Sequence, residues 1–156
     1  MGALTAAAAT PGALTHLVFD ASIDQRPVAR PVHQAVAAHG ERWGPVLEQL
    51  EAELEQYFDG CARCFGIAVA PQGTVFQRRV WQALMNIGFG QTLAYSALAN
   101  RLGLLSGARA VGAANGRNPL SIIVPCHRLV AASGALTGYA GGLAAKRWLL
   151  DHEAGG

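Results

Sequence analysis

An α+β fold is what the sequence predicts, on three observations. The first 70 residues mix short β-prone runs with one long helical repeat, the remainder is dominated by helical periodicities, and glycine, proline and asparagine mark the boundaries. Charge divides the chain at the same place into two expected domains, 1–70 and 71–156. Residues 1–70 carry four arginines against eight acids, net −4, and residues 71–156 carry eight basic residues against two acids, net +6. With 156 residues, 51% apolar and only 14% charged, the chain can bury a sizeable core and is too apolar for wholesale disorder.

The elements follow in order. The alanine-rich start, 1–10, has neither the basic region nor the long apolar stretch of a secretory signal, so a cytoplasmic protein is expected. Residues 17–19 and 65–69 are short β-prone runs, whereas 20–40, with Pro27 and Pro31, has little periodicity and reads as irregular or weakly helical. Val46, Leu47, Leu50, Leu54 and Phe58 repeat at helical spacing and predict a helix over 44–58. Thr74 can cap a helix whose apolar face is Phe76, Val80, Trp81, Leu84 and Ile87, ended by Gly88. A short helix from Tyr95 or Ser96 to Leu102, a turn at Gly103 and a third helix over 107–114 capped by Ser106 have helix-turn-helix spacing. After the turn signal Asn118-Pro119, Ile122-Ile123-Val124 reads as a buried strand delivering Pro125-Cys126-His127-Arg128. Residues 129–139 read as a hairpin or loop, Gly141-Gly142 break it, and 143–153 form a closing helix. The apolar runs fall far short of the ~18–20 residues of a membrane span.

Four features bear on chemistry. The segregated positive charge of the second half suits a polyanion, and also suits an ordinary solubilising surface. The third helix carries almost no side-chain bulk apart from Arg109, so its backbone can approach either a ligand or a neighbouring helix closely. Cys126, with His127 and Arg128 beside it, is the one cysteine whose neighbours could ionise it, because a thiol near pKa ~8.5 needs a cationic or proton-accepting partner at neutral pH. Cys61-Ala62-Arg63-Cys64 is a bare C-x-x-C, and a zinc site would need two more ligands, for which His16, His33 and His39 are the candidates, at no recognisable spacing. Neither a metal nor a cofactor is expected.

Tyr95-Ser96-Ala97-Leu98-Ala99, the run from Ala108-Arg109-Ala110-Val111-Gly112 through Asn115-Gly116-Arg117-Asn118-Pro119, Ile122-Ile123-Val124-Pro125-Cys126-His127-Arg128, and Gly138-Tyr139-Ala140-Gly141-Gly142 occur in that order. Together they resemble the O6-alkylguanine-DNA alkyltransferase family over 74–153, about half the chain. The resemblance implies a small ribonuclease-H-like domain ahead of a mainly helical, winged-helix-like domain with the helix-turn-helix. It also implies a DNA repair protein that moves an alkyl group from O6 of guanine, or O4 of thymine, irreversibly to its own cysteine. Cys126 would be the acceptor, His127 would take its proton through a water, Glu153 would orient the imidazole, and Asn118 would tie the helix-turn-helix to the cysteine segment. Tyr95 would donate a proton to the leaving base, Tyr139 would wall the pocket, and backbone groups near Cys126, Leu129 and Ala140 would read the base edge. The slim helix, with Ala108, Ala110 and Gly112, would enter the minor groove of double-stranded DNA largely without regard to sequence. Arg109 would fill the space of the extruded base, with Asn115, Gly116 and Arg117 near the backbone. A monomer is expected, with cooperative loading on DNA left open.

This reading requires an ionised sulfur at the mouth of a cavity that admits a purine. Gly88-Phe89-Gly90-Gln91 stands where Pro-Tyr-Gly-Glu is common in the family, Ala94 where a serine is frequent, and Leu129 where valine is usual; none removes a proposed chemical group. A lesion sensor without transfer, a transcription regulator and a multiple-turnover Cys-His hydrolase are the competing readings. Cys126 argues against the first, and the short chain against the second.

Overall fold

The computed structural model describes residues 4–10, 12–19 and 44–155, and the segment expected to be irregular, 20–40, lies outside them, as do His33 and His39. Strands β1 (Leu4–Thr10) and β2 (Ala13–Phe19) form an antiparallel hairpin with Leu4 opposite Phe19 and irregular register around Ala8. The turn between them uses Gly12 at φ +84°, a conformation that favours glycine. An alanine run has weak strand propensity, and the sequence does not announce β1; its pairing with β2, whose Leu14 and Leu17 are fully buried, supplies what propensity lacks.

β2 is also the meeting point of the two halves. Leu14 exchanges backbone hydrogen bonds with Ala68 and Ala70 at 2.9 and 2.8 Å, and Leu17 with Pro119 and Ser121 at 2.7 Å each. The β-prone run 65–69 thus contributes one bridge, at Val69, in place of a full strand. Helix α1 (Gly44–Phe58) turns Val46, Leu50, Leu54 and Tyr57 into one core that continues into the second half through Val80, Leu84, Leu120 and Leu149.

Helix α2 (Val75–Leu84) begins as predicted at Thr74: its side chain accepts from the Gln77 amide at 3.2 Å while the Gln77 side chain accepts from the Thr74 amide at 2.8 Å. Strand β3 (Leu93–Ala94) leads into α3 (Tyr95–Arg101), and residues 102–107 join it to α4 (Ala108–Asn115). The Trp81 indole donates to the Ala114 carbonyl at 2.9 Å, fixing α4 on α2. The expected cap at Ser106 is not used. Ser106 takes a left-handed conformation, φ 58°, and Gly107 occupies the cap position without a side-chain bond.

The strand expected over 122–124 is also absent, although its burial is as expected. Ile122 has φ +72°, and the Asn118 side chain takes the ladder's place: Oδ1 accepts from the Leu120 amide at 3.0 Å, and Nδ2 donates to the Val124 and Leu120 carbonyls at 2.8 and 3.3 Å. A 3₁₀ turn, Cys126–Arg128, then runs into β4 (Leu129–Val130), which pairs in parallel with β3, and α5 (Gly142–Gly155) closes the chain. No helix among the described residues is long and apolar enough to cross a membrane.

Replacing Thr74 by alanine removes one half of the reciprocal cap and is expected to cost about 1 kcal/mol, read as a lower denaturation midpoint with an unchanged denaturant slope.

Candidate active site

The three groups expected to act together lie on two elements. Cys126 and His127 sit on the 3₁₀ turn, and Glu153 arrives from the last turns of α5, where Lys146, Leu149 and Glu153 share the buried stripe. His127 is fully buried, with Nε2 2.9 Å from Glu153 Oε1. With the carboxylate ionised, Nε2 carries the proton and Nδ1 keeps its lone pair; Nδ1 is buried without a hydrogen-bond partner among the described residues.

Glu153 does more than orient the imidazole. Its Oε1 also accepts from the Tyr57 hydroxyl at 2.7 Å and Arg128 Nη2 at 2.8 Å, and its Oε2 accepts from Arg128 Nε at 2.8 Å and the Gly90 amide at 3.2 Å. Arg128 Nη1 donates to the Ile87 carbonyl at 2.5 Å. Gly90 lies so close that a Cβ there would stand 2.9 Å from the Glu153 carbonyl oxygen, and its φ of +71° suits glycine as well. Burial alone would raise the Glu153 carboxyl, but hydrogen bonds from His127 and Arg128, the positive charge His127 carries when protonated, and the bond from Tyr57 hold it well below the carboxylate range. The same burial depresses His127, against the pull of Glu153, and Arg128 and Lys146 push it in the same downward direction.

The sulfur departs from the sequence expectation. Cys126 is 4% exposed, and burial pushes its thiol up. A hydrogen bond from Asn118, the backbone amides of Cys126 and His127, and the charge of Lys146 act in the opposite sense without reversing it. Burial thus favours the protonated thiol and, next to it, the neutral imidazole. The expected open, ionised sulfur is not what this conformation holds, because Cys126 is buried in the core. A surface cavity of about 430 Å³ is lined by Val69, Pro71, Arg78, Trp81, Met85 and Val124, and Cys126 is not among its walls.

The loop is fastened at one carbonyl. Thr137 O accepts from the Tyr95 hydroxyl at 3.2 Å and from Lys146 Nζ at 2.8 Å, and Lys146 also donates to the Leu129 carbonyl at 2.5 Å. The Leu129 carbonyl, expected to read a base, is thus engaged internally. Tyr139 packs edge-on against Phe19 and His127, with ring centroids 5.8 and 6.5 Å away, and its buried hydroxyl lies near the Ser121 side chain without a well-formed hydrogen bond. Gly141 is confined by the same rings, since a Cβ would stand 2.5 Å from Phe19 and 2.9 Å from Tyr139. Ala140 is exposed.

Along α4 the outer face carries Arg109, Ala110, Ala113, Gly116 and Arg117, all exposed, with Ala108 and Gly112 half-buried. Asn115 does not share that face: it is buried, and its amide donates to the Cys126 carbonyl at 3.4 Å. A position expected near DNA is thus turned toward the cysteine turn, because α4 buries Val111, Ala114 and Asn115 against the core. Cys61 and Cys64 are exposed free thiols, His16 lies beside Thr15, and no group of three or more His, Cys, Asp or Glu able to hold a metal occurs among the described residues.

Tyr57, Lys146 and the carboxylate-binding role of Arg128 are the groups sequence reasoning missed. Lys146 was signalled by its place, seven residues before Glu153 on one apolar stripe. Tyr57 also lies on the stripe of its helix, but nothing local specifies a partner 96 residues away.

Comparison with known proteins bears on this site directly. Residues 75–155 match the family described as 6-O-methylguanine DNA methyltransferase, DNA binding domain. The methylated-DNA–protein-cysteine methyltransferase of Methanosarcina acetivorans is 50% identical over 107 residues, covering 69% of each chain. That of Salmonella typhimurium is 54% identical over 105 residues, 67% of this chain and 61% of the relative's length. The crystal structure of Mycobacterium tuberculosis OGT in complex with DNA superposes with a TM-score of 0.75 at 39% identity, over 97% of this chain and 86% of that one. An O6-methylguanine DNA methyltransferase from Methanococcus jannaschii gives 0.67 at 28% identity, over 97% and 87%. A buried Cys126-His127-Glu153 row on a shared fold, with sequence identity at and above one half, means that this chain belongs to the methylated-DNA–protein-cysteine methyltransferase family.

Proposed function

We propose that the chain repairs O6-alkylguanine in double-stranded DNA, with O4-alkylthymine as a second substrate, by transferring the alkyl group to Cys126. The observation that carries this reading is the buried hydrogen bond between Glu153 and His127, with the lone pair of Nδ1 left free on the residue next to the thiol. Through a bridging water, Nδ1 accepts the thiol proton. Glu153 stabilises the imidazolium so formed, and Asn118 and Lys146 stabilise the thiolate. The sulfur attacks the alkyl carbon, a C–S bond forms and the C–O bond breaks. The electron pair passes into the purine, Tyr95 hands its proton to a ring nitrogen, and the proton held by the His127 imidazolium returns through water to the Tyr95 phenolate, so that no full anion is left in a dry site. The thioether is stable, so each molecule acts once.

The base must leave the stack to reach the sulfur, at a cost of a few kcal/mol that is smallest for a damaged pair. In this reading the exposed face of α4 enters the minor groove, ~6 Å wide, and Arg109 fills the vacated space, with Gly116 and Arg117 at the backbone. In this reading admission of the base releases the Tyr95 hydroxyl from Thr137 for its new partner. Tyr139, Leu129 and Ala140 then border the base. A monomer, a cytoplasmic location, domains at 1–70 and 71–156, and their ribonuclease-H-like and winged-helix-like assignments complete the proposal. The hairpin followed by a helix, and the α3–α4 pair, support the last two.

Mass spectrometry after incubation with a methylated duplex tests the reading: a permanent one-methyl increment on Cys126 is expected, and unmodified protein bound to DNA would instead indicate a sensor. Cys126→Ser keeps DNA binding and abolishes transfer; measurable transfer would exclude Cys126 as the sole acceptor. Arg109→Ala slows repair in duplex by about 10-fold or more, through lost stabilisation of the extruded state, yet leaves transfer from a free alkylated base nearly unchanged; equal losses would count against the stack-filling role. Glu153→Gln slows transfer from the same free base, and an unaltered rate would exclude the relay.

A further inference from the structure

The match to the methyltransferase family model begins at residue 75, so it assigns nothing to the first half. Yet one side chain of that half enters the site. Tyr57, on the last turn of α1, is 1% exposed and wedged by its ring against Phe65 and Phe89, with centroids 5.4 and 5.9 Å away. His152 Nε2 donates to the Tyr57 carbonyl at 2.8 Å, which holds the backbone of α1 on α5. The hydroxyl reaches past these rings to Glu153 Oε1 at 2.7 Å, the same oxygen that meets His127 Nε2.

We propose that Tyr57 is a positioning residue of the thiol relay, whose hydroxyl holds Glu153 Oε1 in place and limits how strongly that oxygen draws the proton of His127. The inference rests on the transfer reading given above and extends it to the first half of the chain. A carboxylate oxygen that already accepts from a tyrosine and an arginine has less electron density for a third donor, so each added donor lowers its basicity toward the imidazole. Arg128 binds both oxygens and Gly90 binds Oε2, so the carboxylate remains anchored when the tyrosine hydroxyl is removed. What changes is the strength of the pull. Without the hydroxyl, the imidazolium is better stabilised and Cys126 surrenders its proton at lower pH. The other groups facing His127 are Arg128 and Lys146, which oppose its charge, together with Cys126 and the ring of Tyr139. All of them are unaltered by the substitution.

The test is the pH profile of single-turnover transfer from a free O6-methylated guanine base to the full chain, compared for wild type, Tyr57→Phe and protein carrying 3-fluorotyrosine at position 57. Phenylalanine keeps the ring packing and deletes the donor; fluorination makes the phenol more acidic and the donor stronger. The rising limb is expected to move to lower pH for Tyr57→Phe and to higher pH for the fluorinated protein. Each shift should be ~0.3–0.7 unit, a ~2–5-fold change in rate at a pH on that limb. Coincident profiles, a uniform loss of rate without displacement, or displacement of both in one direction would overturn the proposal. Should Tyr57→Phe fail to fold, the fluorinated protein alone decides, because it retains the hydroxyl and the packing. Mapping the methyl in wild type separates this inference from the reading beneath it: transfer to Cys126 with an unresponsive Tyr57 refutes only the inference, whereas no transfer to Cys126 refutes the function.

Discussion

One ionised carboxylate, withdrawn almost completely from water, is the constraint from which the rest of the site follows. Glu153 is 3% exposed, and a charge in that setting persists only if its lone pairs are met by donors. Each donor comes from a different part of the chain: Tyr57 from α1, Gly90 from the segment before β3, His127 and Arg128 from the cysteine turn. The carboxylate therefore serves as a convergence point for α1, α5 and the cysteine turn. A buried ion pair contributes little net stability, because desolvation offsets the Coulombic gain, but leaving one partner alone is costly. The geometry is thus enforced by the penalty for losing it.

The same economy explains the cysteine turn. Asn118 stands in for a β-ladder, satisfying the backbone of 120–124 with one amide and permitting the left-handed Ile122 that a strand would forbid. That turn sets the sulfur beside Asn118 and the imidazole under α5. Lys146 supplies the opposite edge. As a fully buried cation resting on two carbonyls, it fastens the loop 131–142 while bringing positive charge to the thiol. The loop and the ionisation of the sulfur therefore share a residue, and movement of one alters the electrostatics of the other.

Local chemistry accounts for what was legible in the sequence. The cap at Thr74, the periodicity of α1 and α2, and the spacing of α3 and α4 depend on residues within a few positions of one another, and the structure has them within a residue of where the pattern puts them, except that α2 stops at Leu84, short of the end expected at Gly88. Cys126, His127 and Glu153 were legible through resemblance, since no local rule joins residues 26 apart. The failures share a cause. β1 is held by a partner strand against its own propensity, the strand at 122–124 is displaced by a side chain that satisfies backbone groups, and Asn115 turns inward because α4 is thin enough to bury it. Tyr57 is a core residue by its ring, and its hydroxyl alone reaches the carboxylate.

The depth of Cys126 has a further consequence for a reagent that is spent in use. Oxidants and stray electrophiles attack the anionic form of an accessible thiol, and the resting protein presents neither the anion nor the access. Cys61 and Cys64 stand in solvent and meet such agents first. Between encounters with damage, burial of the sulfur lets the molecule wait without being wasted.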